Sequence, residues 1–83
     1  MSFALDVDVS AQAQIEALPP LALSALAVAF DVLRHAPWSG DPYNDDKPNG
    51  AMRTLPFGAD GFVTYLIVED RRRVDILVVS WLG

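Results

Sequence analysis

The sequence has no cysteine, which excludes disulfides, thiolate metal sites and cysteine nucleophiles. It has one histidine, His35, so an imidazole can act as acid or base near neutrality at one place only. Cations are scarce: six Lys plus Arg stand against eleven Asp plus Glu, for a formal net charge of −5. Such a balance disfavours non-specific binding to nucleic acid, which depends on neutralising phosphates. It leaves room for a local basic site, because the local field matters more than the sum. Long hydrophobic runs are also missing. The longest, Pro19 to Phe30, has twelve residues with Ser24 inside it, too short to cross a bilayer. The start, MSFALDVDVS, lacks the basic n-region and long apolar core of a signal peptide. The expected setting is cytoplasmic, with no membrane role.

What remains is short and apolar. Eighty-three residues that are 52% hydrophobic predict one small domain, residues 1–83, with a modest core. A domain this size is marginal alone, so a partner or a second copy is expected to add stability. Phe3, Leu5, Val7 and Val9 alternate with Ala4, Asp6 and Asp8, the period of a half-buried strand, with Ser10 placed to cap a helix after it. AQAQIEA, residues 11–17, reads as that short helix. Pro19 and Pro20 end it, and Pro20 suits the first turn of a second helix that runs to His35. In that helix Leu23, Leu26, Phe30 and Leu33 form one stripe, while Ala22, Ala25, Ala29 and Val32 form a small-residue face. Residues 36–50, APWSGDPYNDDKPNG, are a long loop, with Trp38 and Tyr43 expected to pin it down. AMRTLPF, GFVTYLIVE and RVDILVVSWL come next as three strands. The last two are apolar on both faces, as central strands covered twice would be. The expected fold is α+β, in the order β-α-α-β-β-β: an antiparallel meander of residues 51–82, the first strand joining its edge, and both helices on one face.

This order of elements, together with GADGFVTYLIVEDRRRVDILVVSWLG at residues 58–83, resembles the RelE/ParE superfamily of bacterial toxins. The resemblance covers most of the chain in element order. Its specific part is the hairpin: the apolar strand VTYLIV with a tyrosine, the turn EDRRR, and the apolar strand VDILVV. The resemblance implies the toxin half of a type II toxin–antitoxin pair, neutralised by a cognate antitoxin. Its activity would be a ribosome-dependent mRNA endoribonuclease. The alternatives are a gyrase inhibitor of the ParE kind, or an inactive homologue that serves as a protein-binding module. It implies no metal or cofactor. The chain departs from the ribonuclease pattern in three respects. Phe62 stands where an arginine precedes the strand tyrosine, the lysine-rich strand is reduced to Arg53, and the sequence stops at SWLG without a basic or aromatic tail.

Metal-free RNA cleavage needs a base for the 2′-hydroxyl, a donor to the leaving oxygen and cations on the phosphate. Arg53, mid-strand, is the candidate phosphate clamp if it faces the concave side of the sheet; otherwise it is a strand cation or the partner of a carboxylate. His35 is a candidate acid or base, or a helix C-terminal cation. Tyr65 is a candidate hydrogen-bond donor, or core. Trp81 can stack a base, or pack in the core or on an antitoxin. Arg71, Arg72 and Arg73 are candidate RNA contacts. Glu69, Asp70 and Asp75 surround them, which favours a solvated hairpin turn with a Glu69–Arg73 cross-strand pair. Asp41, Asp45 and Asp46 do not match a calcium-loop spacing.

Overall fold

A computed structural model describes residues 2–83. Strand β1 (Ala4–Val7) leads into helix α1 (Val9–Glu16) and helix α2 (Pro20–His35). A one-turn 3-10 segment, Pro37–Ser39, opens the long loop, and the loop contains a two-residue strand β2 (Asp41–Pro42). Strands β3 (Met52–Phe57), β4 (Gly61–Val68) and β5 (Arg73–Trp81) complete the chain. The five strands form one sheet in the order β1-β5-β4-β3-β2. The meander β3-β4-β5 is antiparallel as expected. The sheet as a whole is mixed, because β1 runs parallel to β5, with Ala4 opposite Arg73 and Val7 opposite Ile76.

The strand expected over residues 3–9 is shorter than its alternation suggests. Val9 already belongs to α1 and is largely exposed. The cap is Asp8, not Ser10: the Asp8 carboxylate accepts the Ser10 amide at 3.0 Å, satisfying one of the amides that a helix start leaves unpaired. Replacing Asp8 with alanine should lower stability by about 1 kcal/mol, read as a lower denaturation midpoint in urea.

Helix α2 starts on Pro20 and ends at Ala36, whose extended φ and following Pro37 stop it. Its buried face is Ala22, Leu26, Ala29 and Leu33, so the small-residue row and two leucines of the other stripe together meet the sheet. Leu23 is exposed instead. The core consists of these residues with Phe3, Ala11, Phe57, Val63, Tyr65, Ile67, Val74, Ile76 and Val79. Tyr65 and Ile76 face one another across β4 and β5, whereas Thr64 faces Val78. Leu77 is therefore the extra residue of a β-bulge, which re-phases the rest of β5. Beyond it Val79 is buried and Val78 is turned outward. Beside the bulge, the side-chain oxygen of Gln14 on α1 accepts the Val79 amide at 2.7 Å.

Both helices pack on one side of the sheet. The expectation that β4 and β5 are covered twice is met on that side only. Phe62 and Val78 lie exposed on the other. No helix among the described residues is long and apolar enough to cross a membrane.

Candidate functional site

Arg53 and Tyr65 are opposite one another in the β3–β4 ladder. Both belong to the side of the sheet that carries Phe57, Val63 and Ile67, the helix-covered side. Arg53 therefore does not meet the condition for a phosphate clamp, which was to face the open side of the sheet. Its side chain is 9% exposed, and it binds backbone rather than carboxylate: Nε donates to the Gly40 carbonyl at 3.0 Å, and Nη1 donates to Pro48 and Gly50 carbonyls at 3.2 and 3.1 Å. The guanidinium also lies against the Trp38 ring, 5.4 Å from its centre. Trp38 in turn donates its indole N–H to Glu69 at 2.9 Å. The planar fork of arginine suits this task, since it offers several fixed donors to acceptors spread along a loop.

Tyr65 completes the clamp. It is fully buried, and its hydroxyl donates to the Pro37 carbonyl at 2.6 Å. Burial raises the phenol above its ordinary value of 10.0, partly opposed by the Gly40 backbone and the Arg53 charge. The folded state therefore holds this proton more tightly than the unfolded chain does, and stability must fall as pH rises above about 10. The Tyr65→Phe variant should lose stability near neutral pH, because Pro37 is left without its donor, and should show a flatter alkaline decline. Urea titrations at pH 8 and pH 11 would read both. Between Arg53 and Tyr65 sits Gly40, whose carbonyl Arg53 grips; a Cβ there would overlap the Tyr65 hydroxyl and approach the Thr54 carbonyl oxygen to 2.5 Å. Trp38 secures the loop through its side chain, as expected, but Tyr43 does so through its backbone, donating its amide to Met52 while its ring stays exposed.

The three arginines of the hairpin divide their work. Arg72 takes a left-handed conformation at φ 49°, stacks on Phe3 at 4.3 Å and pairs with Glu69 at 3.4 Å. Arg73 grips Asp75 with two donors, at 2.7 and 3.3 Å, and Asp75 raises its pKa further. The Glu69–Arg73 pair expected across the turn is replaced by these two local pairs. Arg71 is exposed and has no ion-pair partner among the described residues. His35 is exposed at the end of α2, with Nδ1 at 2.9 Å from the Asp31 carbonyl oxygen. Trp81 is half-buried and stacks on Phe57 at 5.8 Å.

The structure therefore joins Arg53 and Tyr65 around Gly40, on the covered side. His35, Arg71 and Trp81 lie elsewhere, on α2, in the hairpin turn and at the far end of β5. Gly40, Pro37 and Gln14 were not singled out from the sequence. For Gly40 and Pro37 the only local signal was their place among turn formers. Among the described residues no group of His, Asp and Glu is placed to hold a metal ion.

A small α+β domain with two helices on one side of a five-stranded mixed sheet defines the class, and solved structures show which fold it is. The chain matches the toxin–antitoxin complex RelBE2 from Mycobacterium tuberculosis with a TM-score of 0.82 and 21% identity, over 99% of this chain and 93% of that one. It matches the intact RelBE complex of E. coli at TM-score 0.76 and 12% identity, over 98% of each chain. The archaeal RelE–RelB complex from Pyrococcus horikoshii aligns at TM-score 0.69 and 14% identity, over 100% and 98%. The fold is that of RelE. No protein-family model matches the chain, and no curated protein matches it in sequence.

Proposed function

We propose that this protein is the toxin-fold member of a toxin–antitoxin pair, working in the cytoplasm and held by an antitoxin polypeptide. The observation that carries the reading is the likeness over 99% of the chain to a toxin solved with its antitoxin. Induction of the protein in a bacterial host, alone and with the small protein encoded beside it, is the test. Growth arrest alone, relief on co-expression and co-purification of the two are expected. Normal growth in every arm removes the toxin reading and leaves a protein-binding module.

Within this reading, action by protein contact is favoured over RNA cleavage, whether the target is a gyrase-like enzyme or the partner itself. Arg53 and Tyr65 spend their donors on the protein's own loop. Arg73, a strand cation on the open side of the sheet, is neutralised by Asp75. A phosphate needs donors that are not already committed. Translation of a reporter mRNA in a bacterial cell-free system, followed by primer extension, should give no new 5′ ends. New ribosome-dependent ends would instead establish the endoribonuclease, with the exposed His35 and Arg71 and the half-buried Trp81 as the groups left to supply it.

A further inference from the structure

The long loop carries one junction with a chemistry of its own. Of the two asparagines, Asn49 is followed by a glycine, Gly50. The side-chain amide of an asparagine can be attacked by the main-chain nitrogen of the next residue. The reaction is fastest before glycine, which has no Cβ to obstruct the approach. Asn49 is exposed, and Gly50 borders an open pocket lined by Tyr43, Asn44, Lys47 and Met52, so water and hydroxide reach the junction. Asn44 is less suited. Asp45 follows it, and its side-chain oxygen already accepts the Asp46 amide at 3.0 Å.

The step needs no reagent but water. The Gly50 nitrogen gives its proton to hydroxide and forms a bond to Cγ of Asn49. The Cγ–Nδ2 bond breaks, and the nitrogen leaves as ammonia with a proton from water. The product is a five-membered imide, which water then opens. Cleavage between the Gly50 nitrogen and Cγ gives aspartate. Cleavage between that nitrogen and the main-chain carbonyl carbon gives isoaspartate, whose main chain runs through Cβ and Cγ and is one carbon longer.

In the closed loop this step is obstructed on both sides of Asn49. The Gly50 amide donates to the Lys47 carbonyl at 2.9 Å, closing a β-turn with Pro48 and Asn49 at its centre. The nitrogen that must attack Cγ is therefore held with its N–H toward Lys47. Arg53 Nη1 reaches the same turn, donating to the Pro48 carbonyl at 3.2 Å and the Gly50 carbonyl at 3.1 Å. These two carbonyls bracket Asn49. The peptide units before and after Asn49 are thus both anchored, and neither main-chain torsion at Asn49 is free to turn the nitrogen toward the side chain.

We propose that Asn49–Gly50 is a site of spontaneous modification gated by Arg53. With the clamp closed, Asn49 persists. Each opening of the loop frees the junction to react. An isoaspartate formed there prevents closure, because the added carbon moves the Pro48 and Gly50 carbonyls apart and one nitrogen no longer reaches both. The product also adds a carboxylate to a loop that already holds Asp41, Asp45 and Asp46. The event is one-way, so it marks those molecules whose loop has opened. It needs no partner and does not depend on the toxin reading.

The test incubates the whole protein in mildly alkaline buffer, with and without denaturing urea, and locates the loss of ammonia by peptide mass mapping. Modification at Asn49 is expected in urea, and at least ~10-fold more slowly in the folded protein, where loop opening limits it. Arg53→Lys should raise the folded rate at least ~10-fold, since the fork that holds two carbonyls at once is lost. Asp8→Ala lowers global stability far from the loop and should change the rate less than ~2-fold, whereas a route through global unfolding would speed it about fivefold. Asn49→Gln should abolish it. If Arg53→Lys fails to fold by circular dichroism, Pro48→Ala takes its place; it frees the turn, keeps the carbonyls and should raise the rate about two- to fivefold. The isoaspartyl form, separated by chromatography, should exchange its Lys47 and Gly50 amides at least ~10-fold faster than the parent. Asn49→Asp, with the charge but no added carbon, should exchange them as the parent does.

Equal rates in the folded and the unfolded protein overturn the proposal, as does an Asn49 that stays intact in urea. So does a folded rate indifferent to the variant at position 53 or its substitute, or one that Asp8→Ala speeds as global unfolding requires. An isoaspartyl form whose loop amides exchange at the parent rate would show that the clamp closes again, and overturns it as well.

Discussion

Replacing Arg53 with methionine is expected to destabilise the domain by about 3 kcal/mol, lowering the thermal midpoint by roughly 12–24 °C for a domain of this size. The variant keeps most of the apolar stem and removes only the donors. It leaves the carbonyls of Gly40, Pro48 and Gly50 without their charged partner, and Trp38 loses the cation beneath its ring. Each interior acceptor left unpaired costs about 1–3 kcal/mol, less where water can enter. Because Pro48 and Gly50 are near the surface of the loop, water should recover part of the loss there. Arg53→Lys should recover less than half of it, since a point charge cannot reach carbonyls on both sides of the loop. Differential scanning calorimetry of the three proteins decides the matter. A phosphate clamp predicts the opposite pattern, with an intact fold and loss confined to activity. An Arg53→Met protein that melts within ~2 °C of the parent would rule out the loop-clamp role.

Gly40→Ala should cost about as much, roughly 3 kcal/mol, at the upper end for overpacking. The added methyl has two neighbours, and neither can yield cheaply. The Thr54 carbonyl belongs to the β3 backbone, and the Tyr65 hydroxyl is fixed by its bond to Pro37. Backbone freedom is not the issue here, because Gly40 has φ −70°, which any residue adopts. Relief should come from the neighbour: Tyr65→Phe, by removing the hydroxyl, should recover part of the Gly40→Ala loss. A double-mutant cycle in urea would show coupling of about 1 kcal/mol. Strict additivity would mean that the loop, not the tyrosine, absorbs the methyl.

These two residues show where the sequence was legible and where it was not. The strands of the hairpin and the limits of α2 follow from β-branched runs, prolines and a turn of charged residues, all local signals. The orientation of Arg53 was left open because a charged side chain is rarely buried, which argues against an inward reading. Yet it shares the alternation of Leu55 and Phe57, and both of those point inward. The period-two pattern contained its true orientation. The bulge at Leu77 was illegible for a different reason: in ILVVS every residue is apolar up to Ser80, so no change of phase shows. The Asp8 cap was hidden because Asp8 and Val9 continue the strand's alternation with no visible break. Gly40 could not be found at all. Its role depends on β3 and β4, which lie more than a helix turn away in sequence, and on a hydroxyl that only the folded chain brings near. The element order and the RelE-like topology survived these errors, since both rest on several elements that agree.

The parallel pairing of β1 with β5 also bears on how the molecule is made. During synthesis α1, α2 and the β3–β4 ladder can form while β1 still lacks the strand it must bond to, because Ala4 meets Arg73 and nearly all the chain is translated between them. Partners so distant in sequence make for slow closure. A nascent protein therefore carries an unpaired strand at its leading end until β5 emerges. That end is available meanwhile to chaperones, or to any binding protein that recognises the unfinished form.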